Sequence, residues 1–491
     1  MRKITRDISR YLGTNFIVQI FSVLRGAIVA GFLGPPFYGL WNALRLILDY
    51  SPYAGLGASL AMDREYPYCI GRKELTRAEE IKDTAFTFNL IISAILGLVL
   101  FIVALFLRTK VSREATIGLL IISFVLILQQ INIFYRELAR IQKRIDHVNV
   151  MLLLFSGINC FLAILLVREF GISGMFFALV VAYLTALSYI IYKTKDRFTL
   201  RLNQTYLKSL VKLGLALMMI PLLTTALQSV DRLMVLRFLG LTALGLYGFA
   251  SLFAGLLFYL PIAYQFITYP YLLEGHGQQN HPRHLANLYV AQPTAILSGI
   301  LAFLIGIALI LVGPAISYLV PKYSEAIVVI KILLVGGFFF SLIYLPVNFL
   351  VALNKQARVI KIQLICLLLG IGLNYAFIKS GLSIGGVACA RFIVHFFFAN
   401  WILGVVLLHQ LKNASRVFSY LIQVYISLGY ALLLVFVIEG NFLESLIPFV
   451  NTWLLTLIKL MLFSLAGLPV LYYFNRRLYY RFSAAQLHGK K

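Results

Sequence analysis

The chain has 491 residues, of which 61% are hydrophobic and only 12% charged, and its formal net charge is +25. Soluble domains carry about 25% charged residues, and no soluble core of this length could hide so many apolar side chains, which excludes an ordinary globular protein. Because the basic residues concentrate in short segments between apolar runs, the positive charge reads as topology and lipid-headgroup contact, and nucleic-acid binding is set aside.

In chain order, the N-terminal MRKITRDISR is polar and basic, and the apolar run after it is too long for the core of a cleavable signal. Apolar runs then predict about fourteen transmembrane helices, near 12–34, 37–61, 84–107, 116–137, 148–167, 172–193, 210–238, 244–270, 287–312, 325–352, 358–378, 383–408, 417–438 and 451–474. The runs are long and do not alternate, so they read as helices, which satisfy their own backbone in lipid. With the N-terminus in the cytoplasm, thirty of the 43 Lys and Arg residues fall on that side, seven on the other and six inside spans. That is a strong positive-inside signal, and an even helix number places both termini in the cytoplasm. The four cysteines are scattered without metal-type or disulfide spacing, and no cofactor is implied.

An internal repeat is visible. Residues 22–41, SVLRGAIVAGFLGPPFYGLW, and residues 229–250, SVDRLMVLRFLGLTALGLYGFA, share Phe-Leu-Gly, then Tyr-Gly, with an arginine upstream, Arg25 or Arg232. Matching both landmarks requires a three-residue insertion in the second copy. The expected architecture is an all-α polytopic membrane protein with two pseudo-symmetric six-helix lobes, 1–206 and 207–410, followed by 411–491 with two further helices and a basic cytoplasmic tail. Six helices per lobe make the repeat parallel, about an axis along the membrane normal.

Several ionisable residues fall inside predicted spans, where each costs about 2.5–3.5 kcal/mol near the bilayer centre and signals function by default. Tyr38, Asn42, Arg45, Asp49 and Tyr53 share one helical face of the second span, and Asn15, Gln19, Ser22 and Arg25 share one of the first. The seventh span carries Thr224, Gln228, Asp231 and Arg232, the tenth Lys331, the twelfth Arg391 and His395, and the fourteenth Lys459. Arg45–Asp49 and Asp231–Arg232 are open to a structural reading as self-neutralising pairs, and Lys459 to one as a snorkelling residue. Within the spans six basic side chains face two acidic ones, a surplus that pairing does not absorb and an anion-binding cavity would. His395, Lys331, Asn42, Asp49 and Asp231 are the candidate polar or coupling residues of such a cavity. No HExxH motif, phosphate-binding loop or nucleophile elbow is present, which argues against an enzyme.

The stretch RGAIVAGFLGPPFYGLWNALRLILDY, followed by GLGASLAMDREYPYCIGRKE, resembles the opening of bacterial polysaccharide flippases. These are O-antigen-type exporters of the multidrug/oligosaccharidyl-lipid/polysaccharide (MOP) superfamily. Residues 320–355, VPKYSEAIVVIKILLVGGFFFSLIYLPVNFLVALNK, are similar to the second-lobe pattern of the same family. The resemblance implies two six-helix bundles around a central cavity and alternating access. It implies translocation of an undecaprenyl-diphosphate-linked oligosaccharide, a lipopolysaccharide O-antigen or related unit, from the cytoplasmic to the periplasmic leaflet of the inner membrane. Arg25, Arg45, Arg232 and Arg391 fit the arginines that meet the diphosphate in such flippases. The implied partners are that lipid-linked substrate, membrane lipids and other polysaccharide-assembly membrane proteins. The alternatives are a lipid II flippase, a multidrug exporter of the same superfamily, or, from another class, a membrane polysaccharide polymerase or ligase. The exporter would want an acidic cavity, and the polymerase a large periplasmic loop, whereas the longest candidate loops here, near 313–324 or 439–450, reach about a dozen residues.

Overall fold

The computed structural model describes residues 2–196, 198–277, 282–411, 413–440 and 451–484. Among the described residues there is no strand. The helices are α1 (Arg2–Tyr50), α2 (Ala58–Gly71), α3 (Leu75–Leu107), α4 (Arg113–Ile141), α5 (Ile145–Thr194), α6 (Gln204–Leu257), α7 (Tyr259–Gly277), α8 (Pro282–Ala286), α9 (Gln292–Leu319), α10 (Ala326–Ala352), α11 (Gln356–Lys379), α12 (Ser383–Leu411), α13 (Ala414–Glu439) and α14 (Thr452–Ala484).

Eleven continuous helical stretches among the described residues are long and apolar enough to cross a bilayer. Three helices, α1, α5 and α6, run for 49, 50 and 54 residues, twice what one span of about 20 residues needs. Each is a hairpin that turns on a single glycine. Gly34 (φ 71°, ψ 170°), Gly171 (φ 55°, ψ −137°) and Gly240 (φ 84°, ψ −175°) adopt backbone conformations closed to residues with a Cβ. The side chains confirm the reversal. Sixteen residues of straight helix cover about 24 Å, yet the Arg25 guanidinium carbon lies 5.9 Å from the centre of the Trp41 ring. The Tyr247 hydroxyl likewise donates to Asp231 Oδ2 at 2.6 Å, and the Phe155 and Tyr183 rings stand 4.5 Å apart. Counting each hairpin as two arms gives the fourteen spans read from the sequence. Pro35 and Pro36 follow Gly34, at the start of the return arm, where a missing N–H leaves no helical bond unmade.

The chain divides into two compact units, Met1–Gly248 and Phe249–Lys491. The first runs past the expected repeat boundary at residue 206 because α6 packs along the return arm of α1. Tyr53 Oη bonds Thr225 Oγ1 at 2.7 Å, and Tyr50 Oη bonds Ser229 Oγ at 2.6 Å. At two points this seam has no room for a side chain. A Cβ on Gly57 would lie 2.3 Å from the Gly214 carbonyl oxygen, and one on Gly39 only 1.8 Å from that of Leu241.

The repeat appears in the same seam and corrects the sequence alignment. A Cβ on Gly245 would lie 1.9 Å from the Pro35 carbonyl oxygen, the mirror of the Gly39–Leu241 approach. Pairing Gly34 with Gly240 therefore pairs Pro35 with Leu241 and Gly39 with Gly245, with no insertion. The shared Tyr-Gly dipeptide is not an equivalent position, since Gly248 packs against the Asn42 carboxamide instead.

In the second unit, α13 and α14, the helices beyond the repeat, pack on α9. Tyr420 Oη donates to the Ala291 carbonyl at 2.7 Å, and Phe463 of α14 stacks on Phe303 of α9 at 5.7 Å. Gly306 makes room for that ring: a Cβ there would meet Phe463 at 2.0 Å. Most of the predicted 439–450 loop, residues 441–450, lies outside the described residues.

Candidate anion-binding cavity

The first unit holds a half-open cavity of about 250 Å³ lined by the two arms of α1, the middle of both arms of α5, and α4. The outward arm of α1 contributes Gln19, Ser22 and Arg25, three of the four polar residues expected on one face. The fourth, Asn15, turns its amide to the Tyr11 carbonyl at 2.8 Å. The return arm contributes Trp41, Arg45 and Asp49. The rest of its predicted polar face is committed elsewhere. Asn42 is buried, donates to the Tyr38 carbonyl at 2.8 Å and packs on Gly248, and Tyr53 bonds to α6. Asn42 therefore supports the seam and does not line the cavity. The opposite side of the return arm faces an apolar groove lined by Leu44, Leu46 and Ile47 with Val99, Leu100 and Leu236.

Asp49 is the hub of the charges. Its Oδ1 lies 3.7 Å from Arg45 Nε, and its Oδ2 accepts from Arg232 Nη2 at 3.3 Å. The sequence left open a pairing of Arg232 with its neighbour Asp231, and the structure pairs Arg232 with Asp49 instead. Successive residues on a helix point about 100° apart, so the Arg232 guanidinium reaches Asp49 on the facing arm while Asp231 turns inward. Asp231 is 2% exposed, and its carboxylate accepts from Tyr247 Oη at 2.6 Å and from the backbone N–H of Arg232 at 2.7 Å. It is a structural group and does not line the cavity.

Two guanidinium groups, those of Arg45 and Arg232, thus gather on one carboxylate, and a third, Arg25, lines the same cavity as Arg45 and Asp49. Arg25 lies over Trp41, Arg45 is 44% exposed at its side chain, and Arg232 closes the cluster at 15%. Two donors stay unused: Nε of Arg25 and Nε of Arg232 are buried without a hydrogen-bond partner. A buried donor left unpaired costs about 1–3 kcal/mol, more when charged, and such groups in a native structure call for an explanation. An anion entering the cavity supplies an acceptor for Arg25, which lines it.

The remaining candidates lie in the second unit. Arg391 and His395 are 8% and 2% exposed, and His395 Nδ1 donates to the Gly336 carbonyl at 3.2 Å. Lys331 is bound by Glu439 at 2.9 Å. That pair corrects the charge surplus, because Glu439 sits at the end of α13, just past the predicted span, and offsets a lysine counted as unmatched. Within the first unit the surplus persists. Sequence reasoning missed several further polar and aromatic lining residues, among them Gln129, Asn159 and Tyr183. The signal for the first two is an amide side chain inside an apolar span. No group of three or more potential metal ligands occurs among the described residues.

Residues 68–316, just over half of the chain, match the family model described as polysaccharide biosynthesis protein. The chain belongs to the polysaccharide biosynthesis protein family. No curated protein sequence matches it. Among solved structures it is similar to the lipid II flippase MurJ in an inward closed conformation, with a TM-score of 0.68 at 15% identity over 92% of this chain and 97% of that one. It is also similar to an inward-facing multidrug resistance MATE family transporter of the MOP superfamily, with a TM-score of 0.65 at 16% identity over 82% and 95% of the two chains. An outward-facing MATE transporter gives 0.58 at 18% identity, covering 84% and 96%. The fold is that of MOP-superfamily transporters, and the protein crosses the membrane many times.

Proposed function

We propose that the protein is a transporter that flips an undecaprenyl-diphosphate-linked oligosaccharide, an O-antigen or related surface-polysaccharide unit, from the cytoplasmic to the periplasmic leaflet by alternating access. The observation that carries this reading is the cavity in the first unit, lined by Arg25, Arg45 and Asp49, with Arg232 of α6 bonded to the same Asp49 carboxylate. A diphosphate brings the charge and the acceptors this cluster lacks, and arginine's planar fork suits phosphate oxygens. Membership of a polysaccharide biosynthesis family supports a sugar-bearing cargo, and an apolar groove on the far side of the same helical arm suits a lipid-linked one. A cavity with a net positive lining disfavours a cationic drug as cargo. The likeness to MurJ supports a second reading, lipid II as the cargo, which shares the diphosphate and differs in the sugar.

The test is made in cells. Arg25→Ala or Arg45→Ala is expected to abolish surface polysaccharide while the protein still reaches the membrane, and lysine at either site to restore only part of it. Normal polymer in both alanine variants contradicts the reading. The proposed orientation, in the inner membrane with both termini in the cytoplasm, predicts that cysteines placed at 110–113 are labelled from the periplasm and those at 196–204 are not.

A further inference from the structure

The same cavity holds an orphan that the arginines do not explain. Asn159, on α5, is 4% exposed and lines the cavity, and its Oδ1 is buried without a hydrogen-bond partner. Other buried amide oxygens, those of Asn132, Asn149 and Asn374 among them, also lack a partner, but Asn159 is the one of these that lines the cavity, where a ligand can meet the cost. It sits one helical turn from Phe155, whose ring packs on Tyr183 at 4.5 Å, so an amide and an aromatic wall share one side of the cavity. Arg25 lines the same cavity from α1, with its own unpaired Nε. One cavity therefore presents an unused charged donor and an unused neutral carboxamide oxygen.

Phosphate alone meets only half of this. Its oxygens accept from Arg25, whereas Asn159 Oδ1 needs a donor, which a diphosphate does not carry. A sugar joined directly to the phosphate does carry one, as a hydroxyl or acetamido N–H close to the linkage. At about 250 Å³ the cavity is smaller than the roughly 300–1,000 Å³ that drug-sized ligands occupy. It suits the phosphate-proximal end of a glycolipid, not a whole oligosaccharide.

We infer that Asn159 reads the sugar attached directly to the diphosphate, accepting from a hydroxyl or acetamido N–H of that first residue while Arg25 holds the adjoining phosphate. The inference rests on the diphosphate reading of the cavity and adds a residue that discriminates among cargoes. A site built to bond a polar group rejects ligands lacking it, because its own buried atom is then stranded.

The test uses purified full-length protein and two kinds of probe, geranyl diphosphate and geranyl diphosphate bearing glucose or N-acetylglucosamine. Wild type is expected to bind at least one conjugate about tenfold more tightly than geranyl diphosphate, the worth of one good hydrogen bond. Asn159→Ala is expected to erase that gap, and Asn159→Ser to recover part of it. The inference is overturned if wild type shows no gap with either conjugate, if the gap survives in Asn159→Ala (as it would were the amide satisfied by a trapped water), or if neither variant folds. Arg25→Ala separates the two levels of the argument, since it should weaken geranyl diphosphate itself by more than tenfold. If it does not, the diphosphate reading fails, whatever Asn159 does.

Discussion

The two compact units differ in how the charges inside their membrane spans are matched. In the first, Arg45 and Arg232 share one acid, Asp49, and Arg25 stands on the same cavity with an unused buried donor. In the second, Lys331 has its own carboxylate, Glu439, and His395 spends one ring nitrogen on the Gly336 carbonyl, while its Nε2 is buried without a partner and lines neither cavity described above. Residues that look alike in sequence are therefore not alike in what they are free to do. A charge in a span is costly wherever it sits. What marks a binding site is a cost left unsettled beside an open volume.

The largest effects should follow that division. Removing both cavity arginines, Arg25→Ala with Arg45→Ala, is expected to lower surface polysaccharide to background. Removing both members of the pair in the second unit, Lys331→Met with Glu439→Gln, is expected to leave it within about twofold of normal, because a matched pair replaced by neutral residues often costs little. Equal losses in the two double variants would erase the distinction between the units.

Asp49→Asn comes next and sharpens the account of the cavity. The carboxylate competes with an incoming diphosphate for Arg45 and Arg232, so it neutralises the empty site and eases the return of the empty carrier. The variant is expected at normal protein levels, with retained or tighter diphosphate binding and turnover reduced about tenfold. Loss of the protein instead would make Asp49 a structural counter-ion, whose removal strands two guanidinium groups. Normal protein with normal transport would remove it from the site.

The smallest effect should be that of His395→Ala. Losing the Gly336 bond and some packing against Phe340, whose ring centre is 4.5 Å away, should cost about 1–3 kcal/mol. Thermal unfolding of the purified protein would report it, with diphosphate affinity unaltered. A loss of affinity would give the second unit a part in binding.

Hydropathy made the fourteen spans legible, because the glycine hairpins do not interrupt the apolar runs that bilayer thickness requires. The repeat was legible at Phe32-Leu33-Gly34 and Phe238-Leu239-Gly240, and its offset was not. The Tyr-Gly dipeptide drew a three-residue insertion, whereas backbone contact at Gly39 and Gly245 fixes the register. Helical spacing placed Arg45 and Asp49 together correctly. It failed for Asp231, whose partner Tyr247 lies on the returning arm, and for Arg232, whose acid lies on another helix. Pairings across a hairpin or between distant helices leave no periodicity in one sequence. Asn159 was visible as an amide in an apolar run, but only the cavity shows that its oxygen is unpaired.

Direct binding tests the central claim most plainly. Purified wild-type protein should bind geranyl diphosphate saturably and far more tightly than geraniol, with affinity falling as salt rises, and the Arg25→Ala, Arg45→Ala variant should lose that preference. Equal affinity for geraniol and its diphosphate, or an undiminished preference in the double variant, would contradict a cationic cavity that holds the diphosphate.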